Sequence, residues 1–207
     1  MKSKTGKVAR FKLQRRLLTE LPGLGKSGAL ERRPYPPGQH GGKRIKYSDF
    51  RLQLEEKQKV RFHYGLREEQ LVRIVQKAKA TSEGKWIDKL INLLERRLDN
   101  AVFRAGFATS IPAAKQLISH GKILVNGKKI NISSVTLNVH DKIELKSSDL
   151  TNQVYLQAKQ SPRLPLPDWM EKLESDTSAS FTLKDEPNLE SAPFAFDPSL
   201  VTSYYSI

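Results

Sequence analysis

The chain has 207 residues, enough for one ordinary domain or two small ones with a buried core. Lys and Arg number 36 against 22 Asp and Glu, a formal net charge of +14 that exceeds what solubility requires and points to a polyanionic partner. The absence of Cys excludes disulfides, Cys-ligated zinc, iron–sulfur clusters and thiol catalysis. No apolar run approaches the roughly 20 residues of a membrane span, and no signal-type core is present. The expectation is a soluble, intracellular-type protein with no membrane partner.

The charge is unevenly spread. Residues 1–50 carry +10, residues 51–150 carry +8, and residues 151–207 carry −4. A nucleic-acid surface is therefore expected before Thr151, and the last quarter is a compositionally separate piece.

Basic residues alternate with Val8, Phe11, Leu13, Leu17 and Leu18 at the start, which allows a short basic helix ending before Leu21. From Pro22 to Tyr47 the density of Gly and Pro forbids a long regular element, so an ordered loop or extended arm is expected. Ser48 can cap a helix to Tyr64 that Gly65 stops. A second helix, roughly Arg67 to Ala80, places Leu71, Ile74, Val75 and Ala78 on one face.

After Gly84 the apolar stripe Ile87, Leu90, Ile91, Leu94, Leu98, Ala101, Val102 and Ala105 predicts one unbroken helix ending at Gly106. Arg97 and Arg104 share a flank of it and are expected to face outward. Ser110 caps a helix with Pro112 in its first turn and Gly121 as its stop. The period then changes to 2: Lys122–Val125, Asn126-Gly127 and Lys128–Ile130 read as a hairpin with a type I′ turn, and 135–137 and 142–145 as further strands. Residues 152–167 read as a connector, the following segment as an acidic, Ser-rich tail, and Ser199–Ile207 as a final strand.

The string Gly23-Leu24-Gly25-Lys26-Ser27-Gly28 imitates a phosphate-binding loop, but a basic helix precedes it and a Pro-rich loop follows, so the context is wrong for a nucleotide site. The four His have no metal-ligand spacing, and no metal or cofactor is expected. Arg97-Leu98-Asp99 resembles the segment around the catalytic Asp of pseudouridine synthases, but it lacks that family's continuation and no nucleophile or base accompanies it. What remains is basic side chains interleaved with aromatics and turns, the chemistry that grips folded RNA better than duplex DNA.

The strings Tyr35-Pro36-Pro37-Gly38-Gln39-His40-Gly41, Leu54–Lys59 with Arg61–Leu66, Arg97–Asn100 with Arg104–Phe107, Ser119–Lys122 with Val125–Gly127, Leu166–Trp169 and Tyr204–Ser206 run in order along the chain. Together they closely resemble the bacterial-type small ribosomal subunit protein family S-four. The likeness is weakest over 175–198.

The resemblance implies an α+β fold in which a helix-helix-β-hairpin RNA-binding module is inserted into a helical domain. The corresponding divisions are 1–84 (basic arm, loop and helical domain), 85–150 (module) and 151–207 (connector and acidic tail returning to the helical domain). It implies a non-enzymatic structural constituent of the small subunit that binds the rRNA 5′ domain directly, nucleates assembly, and contributes to translational accuracy beside protein S-five and near the mRNA entry path. RNA-binding residues are expected at Arg10, Lys12, Arg15 and Arg16, at Tyr35, Gln39, His40, Lys43 and Arg44, and at Arg51, Lys57, Lys59 and Arg61. In the module they are Arg97, Arg104, Lys115, Gln116, His120, Lys122 and Lys128. The Arg61–Leu66 and Leu21–Leu24 strings favour a plastid (chloroplast) or cyanobacterial member, otherwise a bacterial-type cytoplasm. Two alternatives share the module: an RNA-modifying enzyme, and a free translational regulator that binds mRNA.

Overall fold

The computed structural model describes residues 10–24, 28–43, 46–81, 84–175 and 177–206. It divides into two compact units, the first formed by residues 1–71 with 194–207 and the second by 72–193. The second unit is thus inserted within the sequence of the first, and the fold is α+β.

The first unit holds α1 (Arg10–Leu17), α2 (Ala29–Arg32), α3 (Asp49–His63), the start of α4 (Glu68–Thr81) and α9 (Pro198–Tyr204). Helix α3 begins where the sequence says it should, because the Ser48 side chain accepts from Arg51 N–H, and it ends at Gly65 with a left-handed φ of 59°. The segment expected as a final strand is instead helix α9. Asp197 caps its first turn, accepting from Ser199 N–H at 2.8 Å, and Pro198 sits at the first helical position, where its missing N–H costs nothing. The Asp197 N–H donates to Glu56 Oε2 at 3.0 Å and Val201 is buried, so α9 is tied to α3 at both backbone and core.

The second unit holds the rest of α4, then α5 (Trp86–Glu95), α6 (Leu98–Arg104), α7 (Ile111–Ser119), β1 (Ile123–Val125), β2 (Lys128–Lys129), β3 (Lys142–Leu145), α8 (Gln153–Gln160), β4 (Met170–Glu174) and β5 (Ala179–Leu183). The sheet is antiparallel with order β2-β1-β3-β5-β4. Val125 pairs with Ile143 and Ile143 with Phe181, which lines up three inward side chains under Leu98, Val102, Phe107 and Ile118. The ring of Phe107 meets Phe181 edge-on at 5.2 Å and Tyr155 at 5.6 Å.

Further expectations are corrected here. The single helix after Gly84 is two helices, because Arg97 is extended (φ −67°, ψ 137°) and bridges to Thr136. Leu98 N–H donates to Val135 O at 2.8 Å and Asp99 N–H to Ser133 O at 3.1 Å. The stretch 133–137 therefore satisfies the open amides at the start of α6, which is why 135–137 is no sheet strand. The expected connector contains α8, and the expected tail supplies β4 and β5, with β5 inside the sheet. Arg97 and Arg104 do not face outward, being each 7% exposed. The string Arg97-Leu98-Asp99 opens α6.

Candidate nucleic-acid interface

Within the first unit, α1 turns off at Leu18, whose φ of 49° is left-handed, and Leu17, Leu21 and Leu24 bury its inner side. Outward, Arg15 Nε donates to the carbonyls of Arg33 (3.3 Å) and Tyr35 (3.1 Å), and its guanidinium lies 4.9 Å over the Tyr35 ring. One side chain thereby fixes the start of the Pro-Gly loop to α1. The loop then folds on itself: Gly41 N–H donates to Gly38 O, Lys43 N–H to His40 O, and a Cβ on Gly41 would run into the Pro36 carbonyl oxygen. That close approach requires Gly at 41. The turn leaves Tyr35, Gln39, His40 and Lys43 exposed.

Arg16 of α1 and Arg51 and Arg61 of α3 converge on one pocket of about 360 Å³, with Gln58 and Phe62 also in its wall. Arg51 Nε binds Glu55 at 2.8 Å and Arg61 Nη1 binds Glu68 at 2.9 Å, yet each guanidinium carries five donors. The Arg61 side chain is 28% exposed, so part of its guanidinium still reaches solvent. A phosphate oxygen is the acceptor that such a planar fork fits best.

Lys57 is different. It is 3% exposed, pairs with Glu68, and lies 4.8 Å over the Tyr204 ring, so it is a packing cation and does not face solvent as a phosphate contact must. Lys59 is half-buried and held by Glu56 at 2.6 Å. Burial raises the Glu68 pKa, but hydrogen bonds and charge from Lys57 and Arg61 outweigh it and hold the carboxyl below its usual range. Lys12 is half-buried and Arg16 exposed on α1. The Arg10 side chain and all of Arg44 fall outside the described residues, as does 25–27 of the Gly-rich string.

Within the second unit the register builds a basic corner. Ile123 pairs with Leu145, which sets Lys122 beside Lys146, and Lys146 N–H donates to Lys122 O at 3.0 Å. Leu124 pairs with Lys129, and the Lys129 side chain packs where a Cβ on Gly121 would stand, next to exposed His120. Gln116 and Lys128 are exposed, while Lys122 is half-buried and paired with Asp149 at 2.9 Å. Lys115 is half-buried, 3.5 Å from Asp99, and burial lowers its pKa, with the Asp99 charge opposing the shift and the Arg97 charge adding to it. Lys129 and Lys146 join this corner although the sequence reading passed over them. Their charge was visible, but only the strand register brings them beside Lys122.

Arg97 and Arg104 lie in a buried polar layer, which Lys115 reaches through Asp99. Arg97 binds Asp99, and Arg104 reaches Glu95 Oε2 at 3.5 Å and the Ser191 carbonyl at 3.1 Å, with Asn100 bonded to the same Glu95.

Comparison with known proteins identifies the family. The family model described as "Ribosomal protein S4/S9 N-terminal domain" matches residues 5–95, and the "S4 domain" matches 96–143. The chain is 64% identical to "Small ribosomal subunit protein uS4B" of Bdellovibrio bacteriovorus, over 99% of both chains. It is 43% identical to "Small ribosomal subunit protein uS4" of Methylobacillus flagellatus over 95% of both, and 49% identical to the protein of that name from a Picosynechococcus over 70% of both.

Proposed function

The chain belongs to the uS4 family of small ribosomal subunit proteins, and from that premise we propose that it holds rRNA with two basic surfaces, one on each unit. It is a structural, rRNA-binding ribosomal protein and not an enzyme. The observation that carries the proposed contact surface is the meeting of Arg16, Arg51 and Arg61 around one pocket. The exposed loop residues Tyr35, Gln39, His40 and Lys43 add stacking and base-edge or 2′-hydroxyl contacts to the first surface. The second surface is the His120, Lys122, Lys128, Lys129 and Lys146 corner, with Gln116 beside it.

In finer detail, the target is a multi-helix junction in the 5′ domain, bound early enough to nucleate assembly. Neighbouring partners are protein S-five and mRNA near its entry path, through which the protein influences decoding accuracy. In functional terms the parts are a basic arm with its helical domain, an RNA-binding module, and a tail returning to the helical domain. The bacterial relatives fit a bacterial-type ribosome as its location; a plastid ribosome of cyanobacterial descent is the narrower alternative. Binding to mRNA as a free regulator would use the same surfaces.

The test is a salt titration of the full chain on a 5′-domain rRNA fragment. About 6–10 phosphate contacts give a loss of roughly 10³ to 10⁵ in affinity between 50 and 200 mM salt. A flat titration would overturn the reading.

A further inference from the structure

The pocket between α1 and α3 is larger than phosphate binding needs. Its volume of about 360 Å³ lies in the range that holds a small organic molecule, roughly 300–1,000 Å³. Positions 51, 54, 55, 58, 61 and 62 share one face of α3 by the i, i+3, i+4, i+7 spacing, and Arg16 and Leu17 close the pocket from α1. Leu17 is buried, while Leu54 and Phe62 stand half-buried in the wall, so apolar surface remains inside the pocket. An inorganic anion gains nothing from it.

The polar groups are placed differently. Arg16 is exposed, and Arg51 and Arg61 are part exposed, so all three reach solvent beside the pocket. The Arg61 guanidinium lies 4.9 Å over the Phe62 ring, which makes a stacked platform in the wall. Glu55, also in the wall, gives one oxygen to Arg51 Nε at 2.8 Å. A carboxylate only accepts, so Glu55 opposes an anion inside the pocket and suits a neutral group that brings N–H donors. The occupant is therefore flat, uncharged, donor-bearing and joined to a phosphate that stays with the arginines. A nucleobase on its own sugar and phosphate has these properties. Within folded RNA, only a nucleotide turned out of the stack can present its base in this way, and such bases stack on aromatic rings and Arg planes.

We propose that the pocket between α1 and α3 captures one extruded nucleotide of the rRNA, its base against Leu54 and Phe62 and its phosphate on Arg16, Arg51 and Arg61. This rests on the RNA-binding reading of the same surface and narrows it from backbone contact to a site for a single unstacked base.

The test has two arms, both on the full chain. In the first, the four nucleoside 5′-monophosphates and, separately, inorganic phosphate are titrated at matched ionic strength while the Leu17, Leu54 and Phe62 side-chain resonances are followed by NMR. Nucleotides should shift these resonances saturably and phosphate should leave them in place. Equal shifts with phosphate, or none with any nucleotide, would overturn the proposal. In the second, Phe62→Leu, which removes the ring, and Leu54→Phe, which fills the pocket, are compared with the parent on the 5′-domain rRNA fragment, with circular dichroism as the check on folding. Each should bind at least about tenfold more weakly, because base stacking is lost, with the salt slope unchanged, because every arginine remains. Parental affinity in the folded variants, alongside a steep salt titration of the parent, would overturn the nucleotide pocket and leave the RNA reading standing. A flat parent titration would overturn both.

Discussion

Arg97 and Asp99, two residues apart, close on each other through two hydrogen bonds, Nε to Oδ1 at 3.1 Å and Nη2 to Oδ2 at 2.8 Å. The pair is buried at the break between α5 and α6, with Asp99 1% exposed. Asp99 also accepts from the Asn100 N–H, so the carboxylate is satisfied by geometry available only because the chain is extended at Arg97. Breaking the pair is therefore costly. Arg97→Ala should destabilise the protein by about 3–5 kcal/mol, because it leaves a buried carboxylate short of its main partner. Arg97→Met with Asp99→Leu should cost much less than the single change. Urea unfolding of the parent and the two variants measures the difference, and an Arg97→Ala effect below about 0.5 kcal/mol would return Arg97 to the surface.

Arg16 and Lys57 should separate cleanly. Exposed Arg16 replaced by Ala should change stability by less than about 0.5 kcal/mol while lowering the salt slope of RNA binding by about one. Lys57→Ala removes a buried cation from the face of Tyr204 and from Glu68, which is part exposed and keeps Arg61, and should cost about 1–3 kcal/mol of stability. Paired unfolding and RNA titrations distinguish the two behaviours.

Gly41→Ala should damage the loop and spare the fold. The new Cβ would meet the Pro36 carbonyl, so the turn that presents Gln39 and His40 must open. RNA affinity should fall about tenfold, roughly 1.4 kcal/mol, with unfolding free energy within about 0.5 kcal/mol of the parent. An unchanged affinity would remove this loop from the contact surface.

Lys57 and Arg61 hold the Glu68 carboxyl below the ordinary range of a glutamate, against the opposing effect of burial. A depressed carboxylate contributes stability that is fully present above its unfolded pKa and is lost as pH falls through the lower native value. The parent should thus lose stability below pH 4.5 faster than Glu68→Gln, and the two curves should converge in acid. Glu68 is 39% exposed at its side chain, so solvent screening keeps the effect modest. Urea midpoints measured from pH 6 down to pH 3 test this, and parallel curves would contradict it.

Residues 84–150 alone should not fold, whereas 84–193 should. The shorter piece lacks β5, which pairs Phe181 against Ile143 inside the sheet, and lacks Tyr155 against Phe107. In the full chain, Phe181→Ala should cost about 3–5 kcal/mol. Dispersed amide resonances from the 84–150 fragment would refute this.

The local elements were readable because their causes are local. Ser48 and Ser110 cap the helices they precede, each side chain accepting a backbone N–H three residues on, and Asn126-Gly127 takes positive φ at both turn positions. These depend on residue type and near neighbours alone. The uneven charge and the strings shared with the S-four family were equally plain in one dimension.

Other features depended on partners far along the chain. The apolar stripe from Ile87 to Ala105 was real, but a helix break costs little once Val135 and Ser133 carbonyls take the open amides of α6. Periodicity carries no record of those carbonyls. Arg104 had no apolar signature, and its burial became tolerable only with Glu95 beside it and Ser191, from 87 residues later, accepting its hydrogen bond. Phe181 lay in a Ser-rich acidic stretch that resembled a tail until the open edge of β3 gave its backbone a partner. Composition and short-range pattern determined the class of molecule this chain binds and where the Ser-capped helices α3 and α7 start; which cations face that partner and which are sealed inside was decided by contacts that exist only after the chain has closed on itself.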